Sequence, residues 1–146
     1  MVGFDSLPTY SNKKERGINK MKRKLSTIQK RENLNTVYAI NEVDVANANS
    51  QYRIVRNTFD DETLDNDYIE EIVFQRGARK DPYSTPGATN EDLLEIVRDR
   101  LIGFQNGEFS CRENALALTH IEEALMWLNR RVEDRISREV LGENKK

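Results

Sequence analysis

Apolar positions recur at helical intervals over the last third of the chain. Leu93, Val97, Leu101 and Phe104 follow one another at spacings of four, four and three, and Leu94 widens the stripe. Thr89-Asn-Glu-Asp puts a capping hydroxyl ahead of acids that suit a helix N-terminus. Asn106-Gly107 supplies a stop, with glycine available for a left-handed C-terminal cap. A second helix is expected from Ser110, where Ser-Cys-Arg-Glu reads as a capping box closed by Glu113. Its seam is Leu118, Ile121, Leu125, Leu128, Val132 and Ile136. If both helices start from the Gly107 turn, this seam runs about two turns past its partner. The sheet or a second copy can cover the excess, and a second copy is the expected cover. Met126 and Trp127 lie beside the seam and are expected to pack rather than to hold a cofactor.

Ahead of the helices the pattern changes. Thr36–Asp44, Tyr52–Asn57 and Tyr68–Gln75 are rich in β-branched and aromatic residues, and polar turn segments separate them. They predict a small antiparallel meander. Residues 59–67, with five acids, form one of those turns. Arg76–Ala88 holds Gly77, Pro82, Pro86 and Gly87, which predicts a loop without regular structure. The expected fold class is therefore α+β, a small antiparallel β-meander followed by a long antiparallel helical hairpin, in an oligomer. The expected divisions are a basic flexible arm over 1–35, the β region and its loop over 36–88, and the hairpin over 89–146.

Composition narrows the function. Apolar residues make up 37 % and charged residues 33 % of the 146 residues, a lean ratio that association between copies can complete. A net charge of -2 gives no global field for long nucleic acids. The arm is locally different: nine basic residues and one acid, Glu15, lie between Lys13 and Arg31. Few apolar groups there can offset chain entropy, so flexibility is expected, and a phosphate-seeking arm is the functional alternative. Met21 is an alternative start for the chain. No stretch approaches the roughly 18 apolar residues of a membrane span, and the N-terminus has no secretory signal pattern. The lone Cys111 excludes an intrachain disulfide, and a soluble intracellular protein is expected.

Catalytic motifs are missing. There is no phosphate loop and no dinucleotide fingerprint, and one His and one Cys do not make a usual zinc site. Cys111 and His120 are nine residues apart, about 13 Å of helical rise, too far to pair within a chain. His120 is expected as a partly exposed helix residue. No catalytic residue, metal or cofactor is assigned. Two clusters remain as binding candidates. Arg76, Arg79 and Lys80 stand beside Tyr83 in the loop, where they can meet phosphate and a base or simply be solvated. Arg112 and Thr119 are seven apart, on one helical face, with Arg112 in the first turn where backbone N–H groups favour anions. The plain alternative is a surface arginine and a threonine bonded to its own backbone.

The stretch from Thr89 to Arg135 carries a specific pattern: EDLL, DRL, FQ-Asn-Gly-x-F, Cys-Arg-Glu-x-x-Leu-Ala, and Thr-x-x-Glu-Glu-Ala-x-x-Trp-Leu. It resembles the helical hairpin shared by phage anti-defence sponges of the Thoeris-countering and CBASS-countering types. Val73–Gly77 resembles the strand end of the sheet-bearing Thoeris type. The resemblance implies a non-enzymatic homohexamer that sequesters cyclic di- or trinucleotides or cyclic ADP-ribose derivatives in the host bacterial cytoplasm. It implies Arg112 and Thr119 at the phosphates of a cyclic trinucleotide, with three chains around each pocket. It also implies Phe74 and the loop at a cyclic ADP-ribose derivative or a dinucleotide. The chain departs from the family in that loop, with Phe-Gln-Arg-Gly-Ala for Phe-Gln-Asn-Gly-Pro and Ser-Thr-Pro-Gly for Val-Asn-Gly. The competing reading is a phage structural or scaffolding oligomer, with the hairpin as assembly module.

Overall fold

A computed structural model describes residues 23–57 and 68–146. The region of Met21 and the acidic turn at 59–67 lie outside the described residues, as does the arm ahead of residue 23. The chain divides into two compact units, residues 1–72 and 73–146.

The first unit is a sheet with strand order β1 (Arg23–Lys24), β2 (Asn35–Ala39), β3 (Gln51–Arg56) and β4 (Tyr68–Val73). Both β1–β2 and β2–β3 pair antiparallel. The strand at Arg23–Lys24 departs from the expectation of a basic arm without structure. It pairs with Tyr38 and Ala39, and Arg23 donates to Asn49 Oδ1 at 2.7 Å. Pairing to an existing edge fixes these residues without any apolar cluster of their own.

β2 stops at Ala39 instead of continuing to Asp44, and the cause is Asn41. Its Oδ1 accepts the backbone N–H of Ser50 (3.1 Å) and of Gln51 (3.0 Å), and the latter is the donor that a continued β2–β3 ladder would have used. Its Nδ2 donates to Ser50 Oγ at 2.8 Å. Asn47 then turns the chain at φ 60°, with Asp44 Oδ1 accepting from Ala46 N at 2.8 Å. The register sets Ala39 opposite Tyr52 and Thr36 opposite Val55, on opposite faces of the sheet. Ala39 and Val55 are both buried, so each face contributes to the core and the alternation in the sequence is blurred. Arg53 Nε meets Glu71 Oε2 at 2.8 Å, a charged pair between β3 and β4.

The second unit is built on α1 (Asn90–Gln105) and α2 (Arg112–Ser137). The expected box at Thr89 is present. Asp92 N donates to Thr89 Oγ1 at 3.2 Å, and Thr89 N donates to Asp92 Oδ2 at 2.8 Å. The Thr89 backbone N–H first, and then the Thr89 side chain, hold the Asp92 carboxyl below the usual range. At the other end Gly107 does not take a left-handed conformation; α1 closes through Asn106 N to Ile102 O (3.1 Å) and Gly107 N to Phe104 O (3.2 Å). The second cap shifts by one residue. Cys111, not Ser110, is the N-cap, with its Sγ accepting from Asn114 N at 3.4 Å. The Gln105 side chain takes Cys111 N–H at 3.0 Å and so ties the two helices across the turn.

Arg98 Nε reaches Glu122 Oε1 at 3.1 Å across the hairpin, and that bond raises the affinity of Arg98 for its proton. The less exposed positions of α1 on that face are Leu94, Arg98, Leu101 and Gln105. Val97 and Phe104, expected in the seam, are instead 42 % and 37 % exposed. Arg98, between Leu94 and Leu101, pairs with Glu122, so the face of α1 toward α2 is not an unbroken apolar row. The α2 seam holds as expected at Leu118, Ile121, Leu125, Leu128 and Val132, all half-buried, while Ile136 is exposed. No residue of either helix is fully buried. Met126 and Trp127, expected as packing residues, are 71 % and 68 % exposed, with Arg130 5.5 Å over the indole.

With Arg98 opposite Glu122, Asn90 falls opposite residue 130, and α2 continues to Ser137, about 10 Å farther. The segment after α2 folds back on this overhang, turning at Glu139 with φ 58°. Thr89→Ala should remove the α1 cap and cost about 0.5–2 kcal/mol of stability, read by thermal or denaturant unfolding. The depressed Asp92 pKa sets the pH sign. Its contribution is present above the unfolded carboxyl value of about 3.9 and is lost as pH falls through the lower folded value. Unfolding of Asp92→Ala should therefore lose that acid-side portion of the wild-type pH dependence.

Candidate functional site

The loop after β4 is held by its own backbone. Phe74 and Ala88 form a parallel bridge, and Arg76 and Thr85 an antiparallel one. Gln75 N donates to Ala88 O (2.9 Å) and Ala88 N to Val73 O (2.8 Å). Arg76 N donates to Thr85 O (2.9 Å), with the return bond from Thr85 N at 2.8 Å. Four bonds thus close a ring that the glycine and proline content alone would leave irregular. Gly87 makes the ring possible. A Cβ at this position would lie 2.3 Å from the Phe74 carbonyl carbon and 2.6 Å from Gln75 N. Gly77, at φ 85°, supplies the left-handed step on the outgoing side.

Inside the ring Asp81-Pro82-Tyr83-Ser84 is a β-turn with proline at its second position. Ser84 N donates to Asp81 O at 3.0 Å and Tyr83 N to Asp81 Oδ1 at 2.9 Å. The turn lifts the Tyr83 side chain almost wholly into solvent, 94 % exposed. Arg76, Arg79 and Lys80 are exposed on the same short loop, and Phe74 at its root is half-buried. The loop thus offers three cations, a tyrosine face and a phenylalanine on one closed scaffold, a set suited to phosphate and base contacts. Arg79 also acts electrostatically on Asp92 at the start of α1.

Arg112 and Thr119 lie elsewhere. Arg112 is exposed in the first turn of α2, where backbone N–H groups point outward. Thr119 is exposed, and its hydroxyl donates to Ala115 O at 3.1 Å, the self-bond weighed as the plain alternative. Its oxygen keeps lone pairs that can accept. Residue 131 of α2 is level with Thr89, where the loop enters α1, so Arg112 stands about 28 Å along the axis from that end. Within one chain the two clusters are distinct. His120 is exposed, with Nδ1 3.2 Å from Glu123 Oε2, and does not approach Cys111. Among the described residues no group of three potential metal ligands occurs.

Sequence reasoning missed the contacts that hold the basic loop from behind. Lys80 N donates to Gly142 O at 2.9 Å, and Lys80 Nζ lies 3.7 Å from Glu143 Oε1. The signal available was Gly142, a glycine in a polar segment just past a long helix, where a left-handed residue is common. It sits at φ 81°.

Residues 66–133 match the family described as Acb2/Tad1, hairpin domain. The match covers most of the stretch on which the resemblance rested and extends upstream through the loop. All seven candidate residues, Phe74, Arg76, Arg79, Lys80, Tyr83, Arg112 and Thr119, fall inside it. The chain is similar to Thoeris anti-defense 1 of Bacillus phage SBSphiJ7, at 57 % identity over 75 residues. Those residues are 51 % of this chain and 52 % of that one, so the chain spans about half the length of the relative it matches. The likeness to the Acb2/Tad1 hairpin domain thus rests on residues 66–133, a stretch that holds the basic loop and most of both helices.

Proposed function

We infer that this protein is a phage anti-defence sponge, which binds cyclic nucleotide second messengers in the host cytoplasm and sequesters them without degrading them. The observation that carries the reading is that one family match spans both the basic loop and the Arg112–Thr119 face. The name of the relative, Thoeris anti-defense 1, points the same way. Sequestration needs affinity and no reactive group, and neither cluster contains a nucleophile–base pair.

In this reading the protein is a homohexamer. Three copies around an axis present three Arg112 side chains to a cyclic trinucleotide, whose three phosphates repeat with the same symmetry. Thr119 adds an acceptor or donor two turns along the same face. The loop and Phe74 form the second site, for a cyclic ADP-ribose derivative or a cyclic dinucleotide. Competing with a cellular receptor calls for nanomolar binding, about -12 kcal/mol. Several charge-assisted hydrogen bonds at roughly 1.5–3 kcal/mol each, with base burial, reach that level.

Calorimetry on variants tests the assignment. Arg112→Ala should lose roughly 1.5–3 kcal/mol per phosphate contact, which compounds over three copies and abolishes cyclic trinucleotide binding. It should leave binding of a cyclic ADP-ribose derivative intact. Phe74→Ala should do the reverse, losing about 1–3 kcal/mol of stacking at the loop site. Arg112→Ala binding every ligand as wild type does would show that this residue is wrongly assigned. A wild-type protein silent toward all cyclic nucleotides would favour the structural-oligomer reading.

Gly87→Ala forces a Cβ into the Phe74 backbone. Such overpacking costs about 1–3 kcal/mol, and the strain falls on the ring. Binding at the loop should fail while the helical circular dichroism signal persists. Bound nucleotide incubated for hours, released by heat and separated by chromatography should come back unchanged. Steady accumulation of a cleaved product would overturn sequestration.

A further inference from the structure

The segment after α2 lies outside the family match, which ends at residue 133, yet it makes a dense set of polar contacts. Arg135, half-buried in the last turn of α2, spreads its guanidinium over three backbone carbonyls. Nη1 donates to Lys145 O at 2.7 Å, and Nη2 donates to Val140 O at 3.0 Å and Glu143 O at 2.5 Å. Only a planar fork of several N–H groups can span three carbonyls in this way; an ammonium has the charge without the span. Arg138 adds a bond from Nη1 to Lys146 O at 2.7 Å while Nε holds Asp134 Oδ2 at 3.0 Å.

The segment so gathered carries Gly142 and Glu143 to the basic loop. Gly142, in the left-handed conformation, accepts Lys80 N–H at 2.9 Å. A Cβ there would meet Lys80 Cγ at 3.2 Å and Arg79 Cβ at 3.5 Å, so the glycine backbone lies directly against both cationic residues. Glu143 bridges two ammonium groups, Lys145 Nζ at 2.8 Å and Lys80 Nζ at 3.7 Å. The loop's own ring fixes residues 74–76 and 85–88, but Arg79 and Lys80 lie at its far side. There the contact comes from the segment that Arg135 holds.

We propose that Arg135 is a positioning residue for the loop site: through Val140–Lys145 it fixes the backbone that presents Arg79 and Lys80, and Glu143 occupies Lys80 until a ligand phosphate replaces it. This rests on the reading of the loop as an anion-binding site. In the free protein the Glu143 carboxylate stands where an incoming phosphate oxygen would sit. On binding, Lys80 exchanges one anion for another, and Glu143 retains its nearer partner, Lys145. The loop cations are thus ordered before ligand arrives, which lowers the entropy cost of binding.

Two variants of the full chain test this. Arg135→Lys keeps charge and stem and removes the fork. Amide exchange at Lys80 should accelerate by about tenfold or more, with the α1 and α2 amides unchanged. Affinity for cyclic ADP-ribose, the probe of the loop site, should fall by at least that factor. Binding of cyclic triadenylate, the probe of the Arg112 face, should stay the same. Glu143→Gln should raise affinity for cyclic ADP-ribose about two- to fivefold at low salt, a gain that disappears at high salt. A purely structural role for the segment would not produce that salt-dependent gain. Unchanged Lys80 exchange in Arg135→Lys, or unchanged or weaker binding by Glu143→Gln, would overturn the proposal. If the wild type binds neither probe while Lys80 exchange still responds to Arg135→Lys, the positioning role stands and the loop-site reading fails.

Discussion

The structure depends on an apolar surface that the described residues of one chain leave uncovered. Two helices with capped ends and a leucine-rich seam pack against each other, yet no residue of either is fully buried. Leu116, Met126, Trp127 and Phe109 face solvent beside the seam. Burial contributes about 25 cal/mol per Å² of apolar surface, so a hairpin left in this state gives up much of its own stabilisation. In the proposed homohexamer, association of copies along α2 recovers it. A surface built by repetition would also multiply each exposed group, so that in the proposed assembly a single Arg112 becomes one of a ring of identical cations around an axis. In that proposal, assembly and ligand recognition follow from the same uncovered face.

The second candidate site, the loop after β4, obeys a different constraint. Its cations are carried on a loop, and a loop has to be made rigid by something other than a ladder. Here a glycine that fits against the Phe74 backbone closes the root, a proline turn raises Tyr83, and a segment gathered by one arginine steadies the far side. The loop sequence differs from the family pattern at several positions, but its closure rests on backbone bonds that tolerate such changes.

The helices were legible because periodic apolar positions and capping chemistry point to the same boundaries. Thr89 behaved as read. The second cap moved to Cys111 because a thiol can accept a hydrogen bond at the position a hydroxyl would take. Arg98 interrupts the α1 stripe for a partner, Glu122, that no local pattern announces. The end of β2 was not legible, since Asn41 competes for donors on a distant strand. The strand at Arg23–Lys24 depends on an edge to pair with and has no apolar signal of its own. Of the candidate site, the residue types were readable; the closure at Gly87 and the support from Arg135 exist only in three dimensions.

Light scattering of the purified wild-type protein at micromolar concentration tests the central claim most directly. The expected result is a homohexamer whose mass does not depend on added nucleotide. A well-folded monomer, with its full helical signal and no tendency to associate, would contradict it.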